Sequence, residues 1–296
     1  MSYWKDRVLK QEEILLDKSI YETEGHLIRL YQQSMRDTER DIKSLFVDLE
    51  SEMMNGNLKI NDLYRYNRYW EIRNQINQRL TELGHKQINA MAPDLENMYF
   101  KVQDYFNKNP KMYARTGKMV KPIDLGYMDL SNPVVSERAN TVVNSVWCAD
   151  GKYWSDRIWI NMDILQQRLE QGLVDIITRG VNPTDVMKNI AQGEIVGEGY
   201  TEAFNRAERL VRTELSHIYN QAAIDRYIDA GCEYFEVLAA PDKTTKVSKN
   251  KFAFYPCADC EAMNGKIFSL LEAEEGENMP PFHPNCRCTI IPVIGG

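Results

Sequence analysis

The chain has 296 residues, a net charge of −7, 43% apolar residues and 27% charged residues. These proportions are globular: they exclude wholesale disorder and collagen-like repeats, and the acidic balance gives no global pull toward nucleic acid or anionic membrane. The length suggests two domains and leaves room for one large one, no apolar run nears the roughly 20 residues of a membrane helix, and the polar start Met1–Arg7 is no secretory signal. A soluble protein made in a cytosol is expected.

Helices dominate the first hundred residues. Leu27, Leu30, Tyr31, Ile42, Leu45, Phe46, Leu49 and Met53 keep a three-four spacing, interrupted only around Ser34 and Thr38. Asn55-Gly56-Asn57 signals a turn, and Asn61 can cap a second helix carrying Leu63, Tyr66, Trp70, Ile76, Leu80 and Leu83, with Gly84 as its stop. A third helix is expected from about Pro93, with Leu95, Tyr99, Val102 and Phe106 on one side. Residues 107–132 contain Pro110, Gly117, Pro122 and Gly126 and read as a connecting arm.

Asn132-Pro133 opens a helix in whose first turn the missing proline N–H costs nothing. The aromatic-basic stretch Lys152–Trp159 precedes a helix carrying Ile164, Leu165, Leu169, Leu173, Ile176 and Ile177 and ending at Gly180. Asn182-Pro183 starts a short helix, and Thr201 to Gly231 reads as one long helix. The period then changes to two at Tyr234–Ala239, with further strand candidates at Phe252–Tyr255, Lys266–Ser269 and Cys288–Val293. Helices first and strands last indicate an α+β fold: a long helical N-terminal region, then a mixed domain with a long helix and a small antiparallel sheet. The expected division is 1–106 as a helical docking region, 107–132 as the arm and 133–296 as the α+β domain, with the motif-bearing core at about 185–294.

Chemistry concentrates near the end. Cys257-x2-Cys260 is followed, 22 residues on, by His283-x2-Cys286-x-Cys288. Two thiols three apart on a turn can face one ion, His283 and Cys286 form a second pair, and Cys286 and Cys288 share a face of a strand. That makes five candidates for the four tetrahedral positions of a structural zinc. The alternative is that the thiols simply pack a loop-rich corner. No open-site carboxylate accompanies them, so no catalytic zinc is expected.

The second constellation is Arg212-Thr213-Glu214 with His217 and Asn220. At about 100° per residue, Glu214 projects with Ala207, Leu210, Val211 and Ile218, while Arg212 points nearly the opposite way. They cannot form one catalytic pair from this helix. A carboxylate on an apolar stripe needs donors, and backbone N–H groups or an arginine such as Arg287 are candidates. Arg65, Arg68, Arg73 and Arg79, interleaved with Tyr64, Tyr66, Tyr69 and Trp70, form either a basic-aromatic nucleic-acid surface or a solvated face over aromatic core residues. Phosphate-cradling Gly-rich loops, His-Glu-x-x-His and a nucleophile elbow are absent from the sequence.

Arg209-Leu210-Val211-Arg212-Thr213-Glu214, the Cys257-x2-Cys260 pair, Asn264-Gly265-Lys266-Ile267-Phe268 and Pro280-Pro281-Phe282-His283-Pro284-Asn285-Cys286-Arg287-Cys288 together resemble the phage Mu F-like minor head protein family. The resemblance is specific over about residues 185–294 and looser for the helical half. It implies a virion protein of the capsid interior, present in few copies, made in the bacterial host cytoplasm and acting in head assembly and DNA delivery. Portal protein and major capsid protein are the implied partners, with packaged DNA as a further candidate. Arg212, Glu214, Asn220, Gly265 and Arg287 stand at its motif positions as structural rather than catalytic residues. One departure is the basic polar insertion Lys243–Asn250 between Asp242 and Cys257, which removes the Asp-Arg approach to the first cysteine that relatives show. Some relatives carry nuclease or ADP-ribosyltransferase domains after the Cys-Arg-Cys segment; none is expected here. The competing reading is an enzyme of nuclease or ADP-ribosyltransferase type that uses Glu214, His217 and Arg212.

Overall fold

A computed structural model of the chain describes residues 3–54, 62–116, 119–179, 183–192, 199–240 and 257–294. The expected turn at Asn55–Asn57, the Asn61 cap, Gly117, Gly180, Asn182, the strand candidate Phe252–Tyr255 and the insertion Lys243–Asn250 lie outside them. The described elements are α1 (Tyr3–Met54), α2 (Asp62–Lys108), β1 (Lys111–Thr116), β2 (Met119–Asp124), α3 (Pro133–Val143), α4 (Trp154–Arg179), α5 (Pro183–Gln192) and α6 (Tyr200–Asp229). β3 (Tyr234–Leu238), α7 (Ala258–Met263), β4 (Ile267–Ser269), a short 3-10 turn (Leu270–Glu272) and β5 (Thr289–Val293) complete the order. The α+β class holds. No helix among the described residues is long and apolar enough to cross a membrane.

Two expectations about helix ends fail for local reasons. α2 runs through both Gly84 and Pro93, so the second and third expected helices are one. Pro93 lacks only its own N–H, which leaves the Asn89 carbonyl without its usual helical donor, and the flanking turns continue. Gly84 is a packing residue rather than a stop. A Cβ placed there would lie 2.6 Å from Cζ3 of Trp159, so only glycine lets the indole ring lie against the helix backbone.

The arm at 107–132 is also different from the expectation. β1 and β2 form an antiparallel hairpin pairing Lys111 with Asp124 and Thr116 with Met119. Pro122 lies on β2, an edge strand of the sheet, where the missing N–H is tolerated. The sheet order is β2-β1-β5-β3-β4. β3 pairs antiparallel with β5 and β4, whereas β1 meets β5 in parallel at Arg115 and Val293. The expected small antiparallel sheet is therefore two antiparallel sections, β2-β1 and β5-β3-β4, joined at one parallel contact. β3 is buried from Phe235 to Leu238, so it is covered on both faces and its period-two pattern does not sort inside from outside.

The chain divides into two compact units, each drawn from separated stretches. Unit 1 comprises 1–23, 92–153 and 209–296 and holds the whole sheet. In it the fully buried Arg226 donates to Asn107 Oδ1 at 2.8 Å and to the Gly126 carbonyl at 2.6 Å, clamping the chain after the hairpin onto α2 and α6. Lys5 of α1 pairs with the buried Glu236 of β3, which neutralises a carboxylate on an interior strand of the sheet.

Unit 2 comprises 24–91 and 154–208. Its polar interior explains the interruptions at Ser34 and Thr38: both hydroxyls meet the buried Tyr200 hydroxyl, at 3.1 and 2.9 Å. Asn161 donates to Tyr31 Oη and to the Ala203 carbonyl and accepts from Arg206 Nε. The Lys152–Trp159 stretch does not precede α4 but supplies its first turns from Trp154. Replacing Gly84 by valine should lower stability by about 1–3 kcal/mol, because overpacking against Trp159 outweighs any gain in helix propensity. Thermal unfolding of the two proteins measures it, and an equal or higher midpoint for the variant would remove the packing role.

Candidate metal centre

The C-terminal corner of unit 1 is built from three short pieces. Cys257 caps α7, and its Sγ accepts the Cys260 N–H at 3.4 Å, so both thiols lie on the first turn of one helix. The turn after Pro284 places Asn285 in the left-handed region (φ 64°), which asparagine tolerates better than most residues. The Cys286 N–H closes that turn on the His283 carbonyl at 3.0 Å. Cys288 then leads into β5, and Cys260, Cys286 and Cys288 are all buried, with Cys257 and Phe282 packed against them.

All five expected donors meet here. Cys257 Sγ and Cys260 Sγ each lie 3.1 Å from His283 Nε2, and Cys260 Sγ lies 3.8 Å from Cys286 Sγ. A tetrahedral ion with sulfur bonds of about 2.3 Å has ligand edges near 3.8 Å, which the Cys260–Cys286 pair matches, while the sulfur–nitrogen pairs fall slightly inside it. A disulfide would need about 2.05 Å, and all six cysteines are free. The donors form two close triads, Cys257–Cys260–His283 and Cys260–Cys286–Cys288, with Cys260 common to both. His283 Nδ1 lies 2.9 Å from the Pro284 carbonyl, which fixes the proton there and leaves the Nε2 lone pair facing the thiols. Hydrogen bonds from Cys260 and Cys288 hold Cys286 well below the usual thiol range, and sharing that charge pushes the Cys260 thiol up. A thiol held low in this way favours the thiolate, the form a metal binds.

The motif helix α6 borders this corner with a run of polar residues. Every position from Thr213 to Asn220 is buried. Thr213 Oγ1 accepts the Asn285 N–H at 3.0 Å, and Asn220 Nδ2 donates to the Cys288 carbonyl at 3.2 Å, so both sides of Cys286 are tied to the helix. Glu214 accepts from the Trp147 indole at 3.1 Å, a donor different from the backbone or Arg287 groups expected. His217 stacks on Trp147 at 5.0 Å and 12°, its Nδ1 pairs with Glu275, and its Nε2 faces the Val142 carbonyl at 3.2 Å. Ser145 Oγ lies 3.4 Å from the same Nε2.

Both imidazole nitrogens therefore face acceptors, the arrangement of an imidazolium donor rather than of a base. Burial opposes the charge, but Glu275, the hydrogen bond to it and Glu214 outweigh burial and hold His217 above its ordinary range. Arg212 instead lines a groove beside α1, near Arg287. The three residues of the enzyme reading are thus not gathered in one cleft. Gly265 (φ 78°) donates its N–H to the Val237 carbonyl at 2.8 Å and serves the β3–β4 turn.

On α2, Arg73 pairs with Glu170 at 2.7 Å and lies over Trp70, and Arg79 pairs with Asp41 at 2.5 Å. Acidic partners thus answer both cations of the basic-aromatic stretch whose side chains are described; Arg65 and Arg68, with Tyr64 and Tyr66, lie outside them. Trp147 and Glu275 escaped the sequence reading: Trp147 sits in a short irregular stretch, and Glu275 in an acidic run that reads as solvated loop.

Residues 166–291 match the family described as Phage Mu protein F like protein. The match takes in α6 and the whole cysteine–histidine corner. No curated protein and no solved structure matches the chain.

Two outcomes are expected from the buried cluster. Because folding favours the protonated His217, its stabilising contribution is complete below the ordinary imidazole pKa near 6.5 and is lost as pH rises through the higher folded value. The unfolding midpoint should fall as pH rises above about 6.5, and less so for His217→Gln; parallel pH profiles would refute the assignment. Trp147→Phe should cost about 1–3 kcal/mol by leaving the buried Glu214 without its indole donor, as measured by denaturant unfolding.

Proposed function

From the Phage Mu protein F-like domain at residues 166–291, we propose that this protein is a minor head protein of a tailed phage or prophage, acting in head assembly at the portal and capsid interior and in DNA delivery. The family match carries the reading. It is supported by what the motif residues do: Thr213, Glu214, His217 and Asn220 are each engaged in fastening α6 to surrounding segments, a structural use of polar groups. Portal protein and major capsid protein are the partners in this reading, and the virion interior its final place after assembly in the host cytoplasm. The helical region 1–106 supplies the docking surface. Ile14 and Tyr21, seven residues apart on one face of α1, are 50% and 79% exposed, which is apolar surface suited to a protein partner.

In the same reading the cysteine–histidine corner holds a structural zinc. Sulfur and imidazole donors suit zinc, the sulfurs are largely buried, and the histidine tautomer is already set. Cys257, Cys260 and His283, with Cys286 or Cys288, would hold the ion, which would supply a cross-link between α7 and the start of β5. Such a link suits a corner of short loops with little apolar core of its own.

Protein purified without chelator should contain about one zinc per chain, and Cys260→Ser, which removes the donor common to both triads, should lose it. Metal analysis well below stoichiometry would reject the zinc and leave the head-protein reading standing. For the latter, the double variant Ile14→Glu/Tyr21→Glu should fold with an unchanged midpoint yet be missing from purified heads by mass spectrometry. Its normal incorporation would show that docking lies elsewhere, and absence of the unaltered protein from particles would overturn the head-protein reading.

A further inference from the structure

The C-terminal corner carries more sulfur than one tetrahedral ion can use, and its thiols differ in what can reach them. Cys257, Cys260, Cys286, Cys288 and His283 offer five donors for four positions, so one stays outside whichever set binds. Cys257 is half-buried, whereas Cys260, Cys286 and Cys288 are buried. A small oxidant from solvent therefore meets Cys257 first. The Cys257 and Cys260 sulfurs belong to one triad, whose ligand atoms lie within 4.8 Å of one another. Further in, Cys286 Sγ lies 3.8 Å from Cys260 Sγ, close to van der Waals contact. Thiols at such separations can close to the roughly 2.05 Å of a disulfide by turning about their side-chain bonds. Cys260 stands between the half-buried thiol and the buried one, and it alone belongs to both triads.

We propose that the corner is a redox-switched clasp, in which Cys260 relays oxidation by a peroxide from Cys257 to Cys286 and a Cys260–Cys286 disulfide replaces the metal. In the first step the Cys257 sulfur takes one peroxide oxygen; the O–O bond breaks, water leaves and a sulfenic acid remains. The Cys260 sulfur attacks that sulfur, the S–O bond breaks, a second water leaves and a Cys257–Cys260 disulfide forms. Cys286 then attacks the Cys260 sulfur, which forms the Cys260–Cys286 bond and returns Cys257 as a thiol. In sum two thiols give up two electrons and two protons, and one peroxide becomes two waters. The exchange runs inward because a buried disulfide resists reduction better than an exposed one. Its product joins α7 to the turn before β5, the same pieces that an ion would hold, so the corner stays closed when its donors are consumed. Release of an ion rests on the structural-zinc reading; the relay rests on the sulfur positions. In the head-protein reading, the trigger is departure of the particle from a reducing cytosol.

The test uses full-length protein purified without chelator, its zinc content measured first. It is treated with hydrogen peroxide under native conditions and quenched at intervals with a thiol-alkylating reagent. Non-reducing proteolysis and mass spectrometry then map the disulfides, while a chromogenic chelator counts released zinc. A Cys257–Cys260 cross-link should appear early and give way to Cys260–Cys286, with about one zinc released per chain. Dithiothreitol with added zinc should restore the starting state. In Cys286→Ser the sequence should stop at Cys257–Cys260; should that variant fail to fold, the time course of the unaltered protein still decides. Oxidation that ends at Cys257–Cys260, or sulfinic acid gathering on Cys257 while Cys260 stays reduced, would overturn the relay. Intact thiols with zinc retained would overturn it too and leave the zinc reading standing. The full disulfide sequence in protein that holds no zinc would reject the zinc and support the relay.

Discussion

Everything in unit 1 depends on keeping a polar helix dry. A helix buried all round is ordinarily apolar, because each polar side chain taken from water needs a partner in the interior. From Thr213 to Asn220, α6 breaks that habit, and its partners come from well-separated parts of the chain: Trp147, Glu275, Asn285 and Cys288. None of these segments has a regular element long enough to place itself. Their positions follow from the helix they must satisfy, so the polar belt acts as a template for the loops around it.

The cysteine–histidine corner inherits its geometry from that template. Cys286 lies between two anchors, the Asn285 N–H and the Cys288 carbonyl, both bonded to α6. Cys257 and Cys260 approach from α7, and the Pro284 carbonyl orients His283. Protein contacts therefore converge the donors, which lowers the ordering cost of binding an ion. The same coupling means that damage to the helix motif should be felt at the thiols, and loss of a thiol at the helix.

The sheet shows a related economy. Its interior strand β3 has a carboxylate, Glu236, at full burial, and Lys5 from the first turns of α1 answers it. An ion pair of this kind adds little stability over an apolar pair of the same shape, but loss of either partner would leave a buried charge uncompensated. It also links residues 1–23 to the strands at the other end of the chain, within the same unit.

Much of this was readable in the sequence, and the division between what was and was not has a physical basis. Apolar periodicity marked α1, α4, α6 and β3, and Asn132 with Pro133 marked the start of α3, because those signals depend on neighbours within one or two turns. The spacing of Cys257, Cys260, His283, Cys286 and Cys288 likewise announced a cluster. Gly84 and Pro93 misled, since a glycine or proline ends a helix only when nothing else holds it, and Trp159 supplies the packing context for Gly84. The hairpin at 111–124 was hidden by Pro122, whose edge-strand position is visible only once β1 has found β5. Glu214 could be assigned to the interior from its helical neighbours, but Trp147 as its donor and Glu275 on His217 could not. Local sequence determined the elements and the residue types at the motif; the pairing of buried charges was decided by tertiary structure, because those partners meet only when the chain closes on itself.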